Sequence, residues 1–150
     1  MILLARYMHR RYEPHKYTCW SLVCDIYRDT WGIEIPDYTR TDRMPYHRIL
    51  AARRQDGGHG FNRTYSPRYG CVVLMRPYGW SVQVHAGVYL DNGRIIHCHD
   101  QVVVWGRSTI STQYRDLEYY EHHLLHAATP RPRADRDTRH NSGAMAVSQP

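Results

Sequence analysis

"VQVHAGVYLDNGRIIHCH", residues 82–99, holds two strand-like runs around a turn signal. Valine, isoleucine and tyrosine crowd both runs, and Asp91-Asn92-Gly93 separates them, the pattern of an antiparallel hairpin. Side chains alternate along a strand, so His85 faces away from Val84, Ala86 and Val88. Turn length then decides where His97 goes. A two-residue Asn92-Gly93 loop pairs Val88 with His97 and sends His85 and His97 to opposite faces. A three-residue loop, with Gly93 left-handed, pairs Gly87 with His97 and puts both imidazoles on one face as diagonal neighbours. In that register His99 lies directly across from His85 and competes as its partner.

Outward from the hairpin, "CVVLMR" (71–76) and "QVVVWG" (101–106) are further strands. "QYRDLEYYEHHLLHA" (113–127) fits a strand or a helix. The preceding "DGGHGFNRTYSPRYG" (56–70) has the composition of a loop. Nearer the start, Leu22, Val23, Ile26 and Tyr27 fall at helical spacing within 19–31. Thr18 suits the N-cap and Gly32 the stop. "GIEIPDY" is then extended and turns at Pro36-Asp37. "MPYHRILAARRQ" (44–55) predicts a second helix, with Pro45 in its first turn. Residues 1–16 predict a short helix and a loop through Pro14. Helices followed by antiparallel strands make an α+β domain.

The length of 150 residues suits one domain with a real core. No apolar run approaches a membrane span. "MILLARYMHRRYE" lacks the apolar stretch of a secretory signal, so none is expected. The net charge is +6, and Lys16 is the only lysine. The arginines are scattered and form no dense stripe, which favours solubility plus a basic tail over a nucleic-acid partner. From Thr129 the chain is rich in Pro, Arg, Ser and Gly. The expected division is a domain over 1–127 and a disordered tail over 128–150. Thirteen tyrosines suit interfaces and polar-edged grooves.

No CxxC occurs among Cys19, Cys24, Cys71 and Cys98, and reduced thiols are expected. On a helix Cys19 and Cys24 are turned about 140° apart, so they neither bond nor share a metal. Cys19 falls in the first helical turn, where unpaired amides and the helix dipole favour a thiolate. A free cysteine is also an ordinary small core residue. A nucleophilic cysteine needs a base, and the base an orienting group. His85 and His97 are the candidates. A metal site of His85, His97, His99 and Asp100 ranks below catalysis, because no tight ligand set is supplied elsewhere.

"YTCWSLVCDIYRDTWGIEIPDY" (17–38), "GCVVLMR" (70–76) and "HAGVYLDNGRIIHC" (85–98), in this order, resemble the NlpC-type cysteine peptidases of bacterial cell walls. Within them the chain is similar to the phage tail-tip peptidases, whose flavour of the motif is Cys-Trp-x-Leu-Val. The resemblance covers about residues 1–120. It implies a papain-like α+β fold, with N-terminal helices packed on an antiparallel sheet. It makes Cys19 the nucleophile, His85 the base and His97 the orienting residue, and it requires the three-residue turn. It implies hydrolysis of an amide in peptidoglycan stem peptides, without metal or organic cofactor, in the tail tip of a virion. Other tail-tip proteins would be partners. Tyr12, with Tyr7 behind it, is the candidate for substrate binding. Two positions depart from the pattern: Thr18 stands where the family usually has Asp, and Gly70-Cys71 where it usually has Gly-Asp. A structural tail-tip protein of low activity on the same fold is the alternative, and another papain-like activity, such as acyl transfer, is a third.

Overall fold

The computed structural model describes residues 1–37, 60–79 and 84–125. Helix α1 spans Cys19–Trp31. Thr18 caps it as expected. Its hydroxyl accepts from the Ser21 N–H at 3.4 Å, and Ser21 Oγ accepts from the Thr18 N–H at 3.1 Å. This reciprocal box satisfies two amides that would otherwise be orphaned at the helix start. At the far end Gly32 takes φ +70°, where a side chain would be strained. Its N–H bonds Arg28 O, and the Ile33 N–H bonds Tyr27 O, closing the last turn.

Leu22, Val23, Ile26 and Tyr27 form the buried stripe of α1. Each such aliphatic side chain contributes roughly 1.5–3 kcal/mol by leaving water. The Tyr27 hydroxyl bonds Gly70 O at 2.6 Å, and the Trp20 indole bonds Pro36 O at 2.9 Å, tying α1 to the sheet and to the extended 32–37 segment. The outer face of α1 carries Asp25 and Asp29. Arg10 reaches Asp25 and Arg6 reaches Asp29, each at 3.3 Å. Partly exposed pairs of this kind contribute about 0–1 kcal/mol each. Their structural effect is to lay the N-terminal segment, with its single 3₁₀ turn at Leu4–Arg6, along the helix.

Among the described residues six strands form one sheet: β1 (Phe61–Thr64), β2 (Val72–Pro77), β3 (His85–Tyr89), β4 (Ile95–Cys98), β5 (Val102–Trp105) and β6 (Tyr114–His122). Their order is β1-β6-β2-β3-β4-β5, and every pair is antiparallel. A helix α2 (Arg107–Gln113) joins β5 to β6. One sheet face packs on α1 through Val72, Leu74, Ala86, Val88, Ile96 and Cys98. The other buries Val73, Met75 and Ile95 against Ile110 of α2 and Tyr114.

The α+β architecture expected from the sequence is present. Four details differ from or refine the reading. Phe61–Thr64 is a strand rather than loop: Phe61 is its one large apolar residue, buried edge-on against Tyr27 and His122. Residues 114–122 resolve as strand, because β6 hydrogen-bonds to β1 on one side and β2 on the other. Helix α2 was not foreseen; "RSTISTQ" offers only Ile110 to a core. The start of the chain forms one 3₁₀ turn rather than a helix. The second helix expected at 44–55 and the tail after 128 lie outside the described residues.

Candidate active site

The hairpin turn sets the site. Gly87 pairs with His97, Tyr89 pairs with Ile95, and the Leu90 N–H bonds Arg94 O at 2.7 Å. The loop is therefore the three residues Asp91-Asn92-Gly93, with Gly93 at φ +74° and Asn92 also left-handed at φ +62°. Asparagine tolerates that region through its short polar side chain, so the turn needs both residues. His85 and His97 share a face, and His85 Nε2 lies 2.8 Å from His97 Nδ1. His99 takes no part in that bond; its ring centroid is 6.3 Å from that of His85.

Gly87 explains the close approach. A Cβ there would stand 2.8 Å from Ile96 O and 3.0 Å from His97 Cβ. Only a residue without a side chain lets β4 come near enough for the two imidazoles to meet.

By alternation the histidines belong to the sheet face away from α1, while Cys19 comes from the α1 side. Cys19 reaches the strand at Ala86, the residue after His85, and among the described residues no hydrogen bond joins its sulfur to His85, so the expected thiol–imidazole contact is not formed in this structure. Cys19 is partly exposed. Its thiol takes backbone hydrogen bonding from Ala86, the residue after His85, and from Trp20 and itself. These amides favour the thiolate, as a helix mouth should. Burial outweighs them, so the thiol is held above its ordinary range rather than below it. The expected activation by the helix start is real in direction and smaller than the desolvation that opposes it.

Burial also pushes His85 down to about 3, helped by the nearby His97 and His99. His97 is pushed down to about 4 by burial and then by His99. His97 is completely buried, and its Nε2 has no hydrogen-bond partner among the described residues. A second proton would charge a ring that has nothing to accept from it. The resting pair is thus a neutral thiol and a neutral imidazole.

Two aromatic side chains that the sequence reading missed hold the imidazoles in place. Tyr114 stacks on His85, with centroids 5.6 Å apart and planes 9° from parallel. Its hydroxyl is pushed up to about 12 by burial and then by Cys19, so it lies within electrostatic reach of that sulfur. Trp105 packs edge-to-face on His97 at 4.6 Å. Both residues stand at strand ends far along the chain, where spacing gives no signal.

Of the two tyrosines singled out upstream, Tyr7 is buried and bonds Asp29 at 3.3 Å, a packing position. Tyr12 is 44% exposed. Burial raises its phenol, helped by Cys19 and Cys98. Its N–H bonds Asp100 O at 2.9 Å, fixing it against the chain before β5. Among the described residues no three of His, Cys, Asp and Glu converge as a metal would require, and no helix is long and apolar enough to cross a membrane.

A cysteine at a capped helix start, lying against a strand whose histidine bonds a second histidine, can perform nucleophilic acyl chemistry. No curated protein matches the chain. The model of the NlpC/P60 family matches residues 5–128, a span that holds Cys19, His85, His97 and all six strands, and the chain belongs to that family of cell-wall cysteine peptidases.

Proposed function

We infer that the protein hydrolyses an amide bond in the stem peptides of peptidoglycan, with Cys19 as nucleophile, His85 as base and His97 as its orienting partner. The observation that carries this reading is the 2.8 Å bond between His85 Nε2 and His97 Nδ1, with a half-buried Cys19 against Ala86, the next residue along the strand. With Nε2–H donating to His97, the Nδ1 lone pair of His85 is left to take the thiol proton. The sulfur then attacks the carbonyl carbon, and the amides at the start of α1 stabilise the oxyanion. The His85 imidazolium gives its proton to the leaving amine, and a thioester remains on Cys19. Water, deprotonated by His85, attacks the thioester, and the acid leaves as the thiol is restored. Tyr12, on the exposed segment before α1, contacts the substrate.

We place this activity in the tail tip of a phage, opening the wall when the genome enters the cell, with other tail-tip proteins as neighbours. Support comes from the Cys19-Trp20-x-Leu22-Val23 motif and the abundance of tyrosine. Detecting the chain by mass spectrometry in purified virions tests the location. The activity is tested by incubating purified sacculi with the protein and identifying new amine and carboxyl termini. New termini that vanish with Cys19→Ala support hydrolysis. A folded protein that yields none favours the structural role, with which the raised thiol also agrees.

A further inference from the structure

His97 uses one ring nitrogen for His85 and has a second to place. The ring is completely buried, and its Nε2 has no hydrogen-bond partner among the described residues. Two other buried atoms, Arg10 Nε and Tyr17 Oη, also lack one; that guanidinium pairs with Asp25 and lies over the Tyr17 ring, so neither residue is isolated. The proton between His97 Nδ1 and His85 Nε2 can belong to either ring. If His97 keeps it, the Nε2 of His97 is a bare lone pair. His85 then accepts through Nε2 and carries its own proton on Nδ1, where it blocks uptake of the thiol proton. If His85 keeps it, the Nε2 of His97 bears a hydrogen and the Nδ1 of His85 is free. What surrounds His97 Nε2 therefore decides whether His85 can act as a base.

Strand register places the neighbours. His97 pairs with Gly87 on one side and with Val103 on the other. His85 stands two residues before Gly87 on β3, and Trp105 two residues after Val103 on β5. In antiparallel strands they take opposite diagonals about His97, on the same sheet face. The Nδ1 of His97 is directed at His85. In a planar five-membered ring the edge opposite Nδ1 carries Nε2, and that edge is turned toward Trp105. The two ring centroids are 4.6 Å apart, near the short end for an aromatic pair, with planes at 76°. A ring edge directed at a nearly perpendicular indole meets its negative π face. That face attracts an N–H and repels a nitrogen lone pair.

We propose that Trp105 is a positioning residue: its π face receives the Nε2–H of His97, fixes His97 as an acceptor at Nδ1, and so leaves His85 Nδ1 bare for the thiol proton. The role of His85 as base rests on the peptidase reading above; the placement of the protons does not. In the reaction the proton leaves Cys19 Sγ for His85 Nδ1. None passes to His97, and no bond to Trp105 forms or breaks.

The test reads the protons directly. Long-range proton–nitrogen NMR correlation, on protein carrying nitrogen-15-labelled histidine near neutral pH, distinguishes the two neutral tautomers of each ring. In the unaltered protein His85 and His97 should both carry their proton on Nε2. The His97 Nε2 proton should also be shifted upfield by the ring current of the indole. Trp105→Leu should move part of the population to the Nδ1–H form of both rings. It should lower kcat about fivefold, the size of one such contact, with KM unchanged. Trp105→Phe, which keeps a π face, should restore most of both. A proton on His97 Nδ1 in the unaltered protein, or an Nε2 proton without the upfield shift, overturns the proposal whatever the variants do. So does a folded Trp105→Leu protein in which both rings keep the Nε2 form. If the tautomers behave as expected in a protein that cleaves no sacculus, the peptidase reading fails and the placement of the protons stands.

Discussion

At Cys19 two effects oppose each other, and their balance sets how the residue reacts. The amides of the helix start favour the thiolate, and burial disfavours it more. The other three thiols are worse placed. Cys24, Cys71 and Cys98 are all buried, and Cys98 is pushed up to about 12 by burial, Cys19 and Asp100. With limiting iodoacetamide on native protein, Cys19 should therefore label first, by at least tenfold on the scale that thiolate access sets. Earlier labelling of Cys24, Cys71 or Cys98 would remove Cys19 as nucleophile. The histidines make a second prediction. In the unfolded chain both titrate near the ordinary value of about 6.5; in the fold they do so at about 3 and about 4. Above pH ~6.5 neither state is charged and stability is full. As pH falls below that, the unfolded chain takes up protons that the folded one refuses. Stability should then fall by on the order of 1–2 kcal/mol per pH unit toward pH 4. Thermal unfolding from pH 7.5 to 4.5 checks this, and His97→Gln should flatten the slope. An equal slope in that variant would mean that other groups carry the effect. Alternation alone left two turn lengths open for His85 and His97; the family resemblance chose the three-residue turn, and the Gly87–His97 pairing shows that turn. Tyr114 and Trp105 were not legible, since ring stacking across strands leaves no periodic trace.

At the scale of elements, the hairpin is what brings the two imidazoles together. It depends on the three-residue turn and on the bare backbone at Gly87. Gly87→Ala inserts a methyl into a 2.8 Å gap against backbone. It should lower stability by roughly 1–3 kcal/mol, as overpacking does. It should cut hydrolysis far more, because β4 must shift and the His85–His97 bond lengthen. Activity falling only in step with the folded fraction would show that the bond is dispensable. The turn also shows the reach of sequence: Gly93 was expected in the left-handed region, and Asn92 beside it was not. Strand β1 and helix α2 escaped for a common reason. Each is short and offers one buried apolar residue, Phe61 or Ile110, so no pattern can form. Both are specified by the elements they pack against. The helix α1, with a cap, a stripe and a stop in its own sequence, was readable from end to end.

Over the whole molecule, the matched family span of residues 5–128 and the compositional change after Ala128 fall together. Truncation after residue 128 should leave the thermal midpoint within a few degrees and hydrolysis unchanged, since the removed residues are too polar to bury a core. A large drop in midpoint would show that they pack. If stability and hydrolysis hold while incorporation into virions fails, the segment is a docking piece. All of this rests on Cys19 forming the covalent intermediate beside His85. The most direct measurement is acid quench during turnover of a soluble muropeptide, followed by mass spectrometry of the digested protein. The acyl mass should appear as a thioester on the peptide containing Cys19, and both it and the new substrate termini should be lost in Cys19→Ala. An acyl group on another side chain, or termini still formed by Cys19→Ala, would contradict the mechanism.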